Sequence, residues 1–314
     1  MLSRTADHLF WMSRYIERSE NTARMLDVNY QTSLLPQSSA AAEQAWHGLL
    51  SISELTHDYR SRHGAIDPKR VQAYMVSDER NPSSILCCLR AARENARAIR
   101  GTLTTEVWET TNQTWLEFNR LLKEGLLERD PSALFEWVKF RSHLSRGVTV
   151  GTMLQDEAFH FIRIGSFLER ADNTARLLDV KFYRQEPPHG EHDAARDFYY
   201  WSAVLRSVSG FEIYRKVYSN VIQPEKVAEL LILRTNMPRS LAHCMARLVD
   251  NLGRVANQQS GETLRQAGRL NADLQHGRID EILATGLHEY LDQFLARVNG
   301  LGVGISRDFM MPAA

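Results

Sequence analysis

The sequence has few of the residues that build covalent or metal-bound frameworks. Only three cysteines occur among its 314 residues, at Cys87, Cys88 and Cys244. Three cysteines are too few for a disulfide framework, and their spacing does not match that of a metal site. Because Cys87 and Cys88 fall inside a helical pattern, we interpret them as small core residues.

The chain also lacks an excess of charge of either sign. Its 38 basic and 38 acidic residues give a formal net charge of zero. Because a nucleic-acid-binding domain normally carries a basic face, the composition predicts no nucleic-acid partner. No apolar run approaches the roughly 18–20 residues of a membrane span, and the first residues lack the apolar segment of a signal peptide. We therefore expect a soluble, cytoplasmic protein without membrane attachment.

Several familiar catalytic patterns are missing from the sequence. We find no glycine-rich phosphate loop, no nucleophile elbow and no defensible Cys/His pair. No segment has the alternating hydrophobicity of a β-strand. The sequence therefore predicts an all-α protein that binds no cofactor and does not bind ATP by itself.

The sequence does contain one segment that occurs twice. Residues 8–28 align without a gap on residues 160–180 at an offset of 152, and ten of the 21 positions are identical. Unrelated segments would match at roughly one position, so the match indicates an internal duplication. A second match aligns residues 82–95 with residues 238–251 at an offset of 156. The small drift in offset is what a few loop insertions would produce.

Each copy of the repeated segment has the pattern of a buried helix. The apolar period is near 3.6 residues and the first copy has no proline. Glu17, Asn21 and Arg24 form a narrow polar stripe, but Phe10 and Val28 continue that stripe as apolar residues at its two ends. A helix that is apolar on nearly every side is buried. We therefore interpret the stripe as a buried polar network.

The duplication predicts a helical bundle with two pseudo-symmetric halves, residues 1–150 and 151–314, packed around the two central helices as one compact unit. Small residues beside the glutamates, Ser13 and Gly165, predict that another backbone approaches closely there. The glycine-rich and β-branched residues 147–152 are predicted to mark the seam between the halves.

Three further expectations concern single segments of the chain. We predict one helix over residues 42–57 and another over residues 198–218. The last residues, 300–314, are rich in glycine and are predicted to lie irregularly on the surface.

The repeated glutamate-arginine motifs resemble those of the bacterial alpha-E family, a predicted all-helical group named for that motif. The motifs are IERSENTARML at residues 16–26 and LERADNTARLLD at residues 168–179. The likeness extends to WETTN at 108–112, LRAARENARAIR at 89–100 and MPRSLAHC at 237–244. It therefore covers essentially the whole chain.

The resemblance implies a functional context but no mechanism. Members of this family are typically encoded with, or fused to, a circularly permuted ATP-grasp ligase. A transglutaminase-like protease is often encoded nearby, and sometimes a proteasome-like peptidase. The resemblance therefore implies an ATP-grasp-type ligase as the partner, and a role in peptide or amide biosynthesis.

The first interpretation of the repeated polar residues is structural. In it, Glu17 pairs with Arg176 and Arg24 pairs with Glu169 across the pseudo-axis, with the asparagine of each copy as a bridge. Buried charges must be paired and hydrogen-bonded, and such a network fixes the register of the two helices.

The second interpretation is a central cavity that binds a carboxylate or a phosphate. Arginine suits that role because its planar fork pairs bidentately with such groups. Glu17 or Glu169 would then be the candidate catalytic base, or would hold a substrate amine. Candidate substrate-binding residues are Arg18, Asn21, Arg24, Arg170, Asn173, Arg176 and, at a predicted helix N-terminus, Arg239.

A metal site is the third possibility, and the sequence argues against it. Glu157 and His160 have the E-x-x-H spacing that di-iron helical bundles use, but such bundles need the pair twice. Thr5 and His8 occupy the equivalent positions of the first half, so the pattern fails. We expect no metal, and we interpret both histidines as core residues.

Two classes of function follow from these expectations. The chain is either a partner that shapes or binds the amino-acid or peptide substrate of the ligase, or an enzyme acting on an amino acid, peptide or activated acyl group. A pure interaction scaffold is a limiting case of the first class. An open cavity at Glu17 and Glu169 would favour the enzyme, and a dry, fully paired network would favour the partner. The substrate and the oligomeric state, including a homo-oligomer, are left open.

Overall fold

A computed structural model describes residues 1–34, 38–179, 194–218 and 221–311. Within these ranges the chain forms sixteen α-helices and no β-strand, so the predicted all-α fold is confirmed. Val180, the last residue of the repeated segment, lies outside the described residues.

The helices follow one another with short connections. The first eight are α1 (Ser3–Ser33), α2 (Ser39–Ile52), α3 (Thr56–His63), α4 (Pro68–Val76), α5 (Ile85–Ala98), α6 (Thr105–Lys123), α7 (Leu126–Arg129) and α8 (Pro131–Thr152). The other eight are α9 (Glu157–Asp179), α10 (Ala194–Ser207), α11 (Phe211–Tyr218), α12 (Pro224–Ile232), α13 (Leu241–Arg254), α14 (Gly261–His276), α15 (Ile279–Thr285) and α16 (Leu287–Ile305). A 3₁₀ turn covers Arg100–Thr102 and a π-helical turn covers Ser306–Met310.

The helices that carry the repeated motif, α1 and α9, lie at the centre and pack against each other. Helices α5, α8 and α10 also pack on α1, and α13 and α16 pack on α9. Every residue is buried over residues 19–27 of α1 and over residues 164–171 of α9. This burial on all sides is what the nearly continuous apolar pattern predicts.

The two central helices come very close at Gly165. A Cβ atom on Gly165 would lie 2.2 Å from Ser13 Oγ and 2.4 Å from the Phe10 carbonyl oxygen. Only glycine leaves room for such an approach. Ser13 and Gly165 are aligned positions of the repeat, so α1 and α9 cross where the two copies match.

Equivalent contacts recur at the two offsets of the sequence alignment. His8 Nδ1 lies 2.7 Å from Asn95 Oδ1, and His160 Nδ1 lies 2.8 Å from Asn251 Oδ1. Both histidines thus have a polar partner inside the fold. These contacts support the proposed duplication, whose division at residues 150 and 151 stays a prediction.

Helix capping also repeats between the aligned segments. The side chain of Ser84 accepts a hydrogen bond from an N–H in the first turn of α5, and that of Ser240 does so for α13. Serine at this position satisfies one of the N–H groups that a helix leaves free at its start. The two aligned helices, α5 and α13, therefore begin with the same capping chemistry.

Residues 147–152, predicted to mark the seam, do not interrupt the helix, and the position of the seam stays a prediction. These residues continue α8, which ends at Thr152. Glycine and β-branched residues lower helix propensity by only about 0.5–1 kcal/mol each. Here Thr149 is buried and its hydroxyl donates to the Ser145 carbonyl oxygen at 2.8 Å, so packing outweighs propensity.

Three other boundaries differ from the sequence prediction. The helix predicted over residues 42–57 is interrupted where Glu54 has a φ of 56°, and the one over residues 198–218 is interrupted where Ser209 has a φ of 53°. A left-handed residue cannot continue a right-handed helix. The part of the predicted irregular tail that the structure describes, residues 300–311, is mostly helical, and Asp308 and Phe309 are buried within the π-helical turn.

Candidate functional site

The glutamates and arginines of the two motifs exchange partners between α1 and α9. Arg170 donates from Nε to Glu17 Oε1 and from Nη2 to Glu17 Oε2, both at 2.8 Å. Arg18 donates from Nε and Nη2 to the two oxygens of Glu169, at 2.6 and 3.2 Å. Each carboxylate is therefore held bidentately by the arginine of the other copy, which is the strongest geometry for this pair.

The predicted pairing of Glu17 with Arg176, and of Arg24 with Glu169, is wrong. Glu17 and Glu169 follow the crossing point by only four residues, whereas Arg24 and Arg176 follow it by eleven. Eleven residues of helix span about 16 Å. The two later arginines therefore lie too far along their helices to reach a glutamate near the crossing.

Arg24 and Arg176 bind an acid one turn earlier on their own helices. Arg24 Nε donates to Glu20 Oε1, and Arg176 Nε donates to Asp172 Oδ2, both at 2.8 Å. The two acids are aligned positions of the repeat, so this contact is also repeated. Arg176 reaches Glu54 as well, at 2.5 Å.

Two further arginines converge on the carboxylates of α1. Arg239 donates to Glu17 at 3.1 Å and also contacts Glu20. Arg146, from α8, contacts the same two acids. We call this buried set the Glu17 network, and its members are Glu17, Glu20, Asn21, Arg24, Ser142, Arg146, Arg170 and Arg239.

Sequence reasoning missed three members of the Glu17 network, namely Glu20, Ser142 and Arg146. Glu20 could have been found, because it precedes Arg24 by four residues and aligns with Asp172, the acid that pairs with Arg176. Arg146 carries no such signal, since it comes from a helix without an aligned motif. Arg14, which donates to Glu169 at 2.7 Å, was also missed, because it lies within the repeat but aligns with Ser166 and so is not a repeated residue.

Of the two predicted asparagines, only one joins the Glu17 network. Asn21 belongs to the Glu17 network, because its Oδ1 accepts from Arg239 at 2.9 Å. Asn173 is half-buried, and its side chain makes no hydrogen bond to the part of the chain that the structure describes. The predicted bridging role of the asparagines thus holds on one side only.

The Glu17 network contains four guanidinium groups but only two carboxylates. Burial, together with Arg170 and Arg24, lowers the pKa of Arg239 to about 10, although Glu20 and Glu17 oppose that shift. Arg239 therefore stays protonated at neutral pH. The network consequently carries an excess of positive charge at the centre of the fold.

Both motif glutamates are held in the charged form. Burial alone would raise the pKa of Glu17, but Arg170 and Arg239 outweigh it and lower that pKa to about 2. In the same way, Arg14 and Arg18 overcome the effect of burial and lower the pKa of Glu169. A general base that works near neutral pH needs a pKa close to that pH. Neither carboxylate has one.

The low pKa of Glu17 predicts a loss of stability in acid. Because the pKa is about 2 in the folded state and about 4.3 in an unfolded chain, the unfolded state binds more protons between these values. The contribution of Glu17 is then fully present above about pH 5 and falls by roughly 3 kcal/mol towards pH 2.

Urea unfolding at a series of acidic pH values measures this loss. We expect Glu17→Gln to show a shallower decrease in the free energy of unfolding than the wild type over the same range. Equal slopes for the two proteins would contradict the assignment.

An open cleft of about 630 Å³ lies beside the Glu17 network. Arg24 connects the two, because it binds Glu20 inside the fold and its Nη1 donates to Ser209 Oγ at 2.6 Å on the cleft wall. The volume is within the range of small-molecule sites. Of the predicted site residues, only Arg24 lines this cleft.

The lining of the cleft mixes both charges with aromatic rings. Lys139 is paired with Asp27 at 2.7 Å, and the Arg206 guanidinium carbon lies 4.4 Å from the centroid of the Phe211 ring. Such a lining suits a zwitterionic ligand with an apolar part. The charged and aromatic side chains of the wall are Arg24, Lys139, Arg206, Asp27, Glu136, Glu212, Phe198, Tyr199 and Phe211.

The residues considered for a metal have other partners. Glu157 binds the N-terminal amine at 2.8 Å, and His160 binds Asn251. Among the described residues, no group of three or more metal-binding side chains is found. A search of the same residues finds no helix with the length and apolar character that crossing a membrane requires.

The fold and the network define an all-helical protein built around paired ER motifs, and comparison with known families agrees. Residues 1–310 match the Alpha-E family, described as a predicted alpha-helical domain with a conserved ER motif. The chain belongs to this family.

The curated relatives carry no assigned function. Uncharacterized proteins of Mycobacterium bovis and Mycobacterium tuberculosis are each 25% identical over 318 residues, covering 94% of this chain. The chain spans 35% of the length of these relatives. No solved structure matches the chain.

Proposed function

We propose that this protein is a non-catalytic partner of an ATP-grasp-type amide or peptide ligase, and that it holds the amino-acid or peptide substrate of that ligase. The observation that carries the proposal is the cleft that meets the Glu17 network at Arg24. The function belongs in the cytoplasm, where ATP is available to the ligase.

The chemistry of the cleft favours an amino acid or short peptide. Such a ligand carries a carboxylate, an amine and a side chain, and the cleft offers basic, acidic and aromatic groups. The Glu17 network, which meets the cleft at Arg24, has more guanidinium groups than carboxylates. This excess of positive charge favours an anion at the Arg24 end of the cleft. A ligand carboxylate would replace the neutral Ser209 hydroxyl as a partner of Arg24.

The state of the motif glutamates supports a partner more than an enzyme. Glu17 and Glu169 are buried, and each accepts hydrogen bonds from at least two arginines. Such carboxylates orient the helices, and their lowered pKa makes them poor acceptors of a substrate proton. The relatives extend well beyond the matching region, which leaves room for an associated catalytic domain.

The test is amide-bond synthesis by the ATP-grasp-type ligase encoded with this protein in its native host. ATP turnover and product mass are followed across amino acids and dipeptides, with and without the protein. We expect product formation to require both proteins and to fall at least tenfold with Arg206→Ala, which removes an exposed basic group of the cleft.

The matched control is Arg120→Ala, because Arg120 is also an exposed arginine but lies on α6, outside the cleft. We expect this variant to support full activity. A ligase that makes the same product at the same rate without this protein would overturn the proposal, as would equal losses in the two variants.

A further inference from the structure

A second group of basic side chains surrounds Phe167 on the side of α9 that faces α13. The guanidinium carbon of Arg163 lies 4.6 Å from the centroid of the Phe167 ring, and that of Arg170 lies 5.6 Å from it. The ring of His243 lies 6.1 Å from the same centroid, in an edge-on arrangement. Three cationic or titratable groups therefore share one aromatic ring.

The ionic state of this group differs from that of the Glu17 network. Arg170 is neutralised by Glu17, but Arg163 has no hydrogen bond or ion pair to any part of the chain that the structure describes, although it is half-buried. Burial, with Arg170 and Arg146, lowers the pKa of Arg163 to about 10, so it remains charged at neutral pH. A half-buried charge without a partner calls for an anion from outside.

Arg247 adds a second unpaired guanidinium. It follows His243 by four residues on α13 and therefore shares a helix face with it. Arg247 is exposed and makes no ion pair within the described ranges. His243 Nδ1 lies 2.9 Å from the Thr235 carbonyl oxygen and donates to it, so Nε2 is an acceptor in the neutral ring and donates to an anion only when the ring is protonated.

The first half of the chain carries no such charges at the aligned positions. The offsets of 152 and 156 pair each of the three residues with an apolar or small residue. The counterparts of Arg163, His243 and Arg247 are Trp11, Cys87 and Ala91. The helices of the first half therefore pack together without these three basic residues. Their presence in the second half points to a ligand.

We propose that Arg163, His243 and Arg247 form a binding site for the phosphate group of a small phosphorylated molecule. This proposed site has two unpaired guanidinium groups, and each can donate two parallel hydrogen bonds to a phosphate. A single carboxylate would be neutralised by one of them, whereas a dianionic phosphate matches both. The position of His243 in the first turn of α13 adds the positive end of the helix. The site is independent of the cleft and of the proposed ligase partnership.

The experiment is a calorimetric titration of the full chain with inorganic phosphate, and in parallel with acetate, at constant ionic strength. We expect phosphate to bind at least tenfold more tightly than acetate. Arg163→Gln and Arg247→Ala are each expected to weaken phosphate binding at least tenfold. Arg247 is exposed, so its substitution keeps the test valid even if Arg163→Gln impairs folding.

Arg254→Ala is the matched control, because Arg254 is an exposed arginine on the same helix whose contact, with Asp250, is 4.0 Å long. This variant is expected to bind phosphate like the wild type. Absence of phosphate binding at millimolar concentration would overturn the site. So would equal weakening by Arg254→Ala and Arg247→Ala, and acetate binding as tight as that of phosphate would overturn the phosphate assignment.

Discussion

Glu17→Ala is expected to lower the free energy of unfolding by about 3–5 kcal/mol. The substitution leaves Arg170 without its bidentate partner and removes one of two carboxylates that offset four guanidinium groups, three of them buried. The uncompensated positive charge, more than the lost hydrogen bonds, is the source of the effect. Chemical denaturation with a fitted midpoint and slope measures the change.

Glu94→Ala is the control for this prediction. Glu94 also contacts two arginines, Arg93 and Arg97, but its side chain is 43% exposed. Its loss is expected to change the free energy of unfolding by roughly 0.5 kcal/mol or less, since water solvates the charges that remain. Similar effects of the two substitutions would contradict the role given to burial.

A double substitution separates charge from packing. In Glu17→Leu combined with Arg170→Met, a pair of opposite charges is replaced by apolar side chains. We expect the double variant to be more stable than Glu17→Ala, because no unpaired charge is added at that point. A double variant that is less stable than Glu17→Ala would contradict the assignment of the loss to an unpaired charge.

Gly165→Ala is the second change with a large expected effect. The added methyl group would meet Ser13 Oγ at 2.2 Å and a backbone oxygen of α1 at 2.4 Å, so α1 and α9 must move apart. Overpacking of this kind typically costs about 1–3 kcal/mol, and more where backbone has to shift. We expect a loss at the upper end of that range, measured by chemical denaturation.

Gly147→Ala is the control, because it is the same substitution at a helical position without close neighbours. Gly147 lies inside α8, and a Cβ there would have no neighbour within 4 Å. Alanine is the better helix former, so this substitution is expected to stabilise the protein by about 0.5–1 kcal/mol. Opposite signs for the two glycine substitutions are the expected result, and equal signs would contradict the crossing geometry.

The sequence predicted the central helices and the polar stripe because both are local patterns. Spacing along one helix is enough to place Glu17 and Arg24 on a buried face. It does not reveal where two helices cross, and the crossing point at Gly165 decides that Glu17 meets Arg170 and does not meet Arg176. The partner on the other helix is therefore a tertiary property.

The cleft could not be predicted from the sequence, for a related reason. Its wall combines side chains from α1, α8, α10 and α11, which are far apart in the chain. The break at Ser209, which places that hydroxyl against Arg24, has no glycine at the position of positive φ. Propensity predicts a continuous helix there, and tertiary packing overrides it.

The exchange of partners between the motifs also has a consequence for protein synthesis. Arg170 and Arg239 follow Glu17 in the chain by 153 and 222 residues. A ribosome that adds about 5–20 residues per second needs roughly 10–40 s to supply both. Until then the Glu17 carboxylate of α1 lacks at least one of its arginine partners, in the middle of an apolar helix surface. The centre of the fold therefore cannot close before Arg239 has been made.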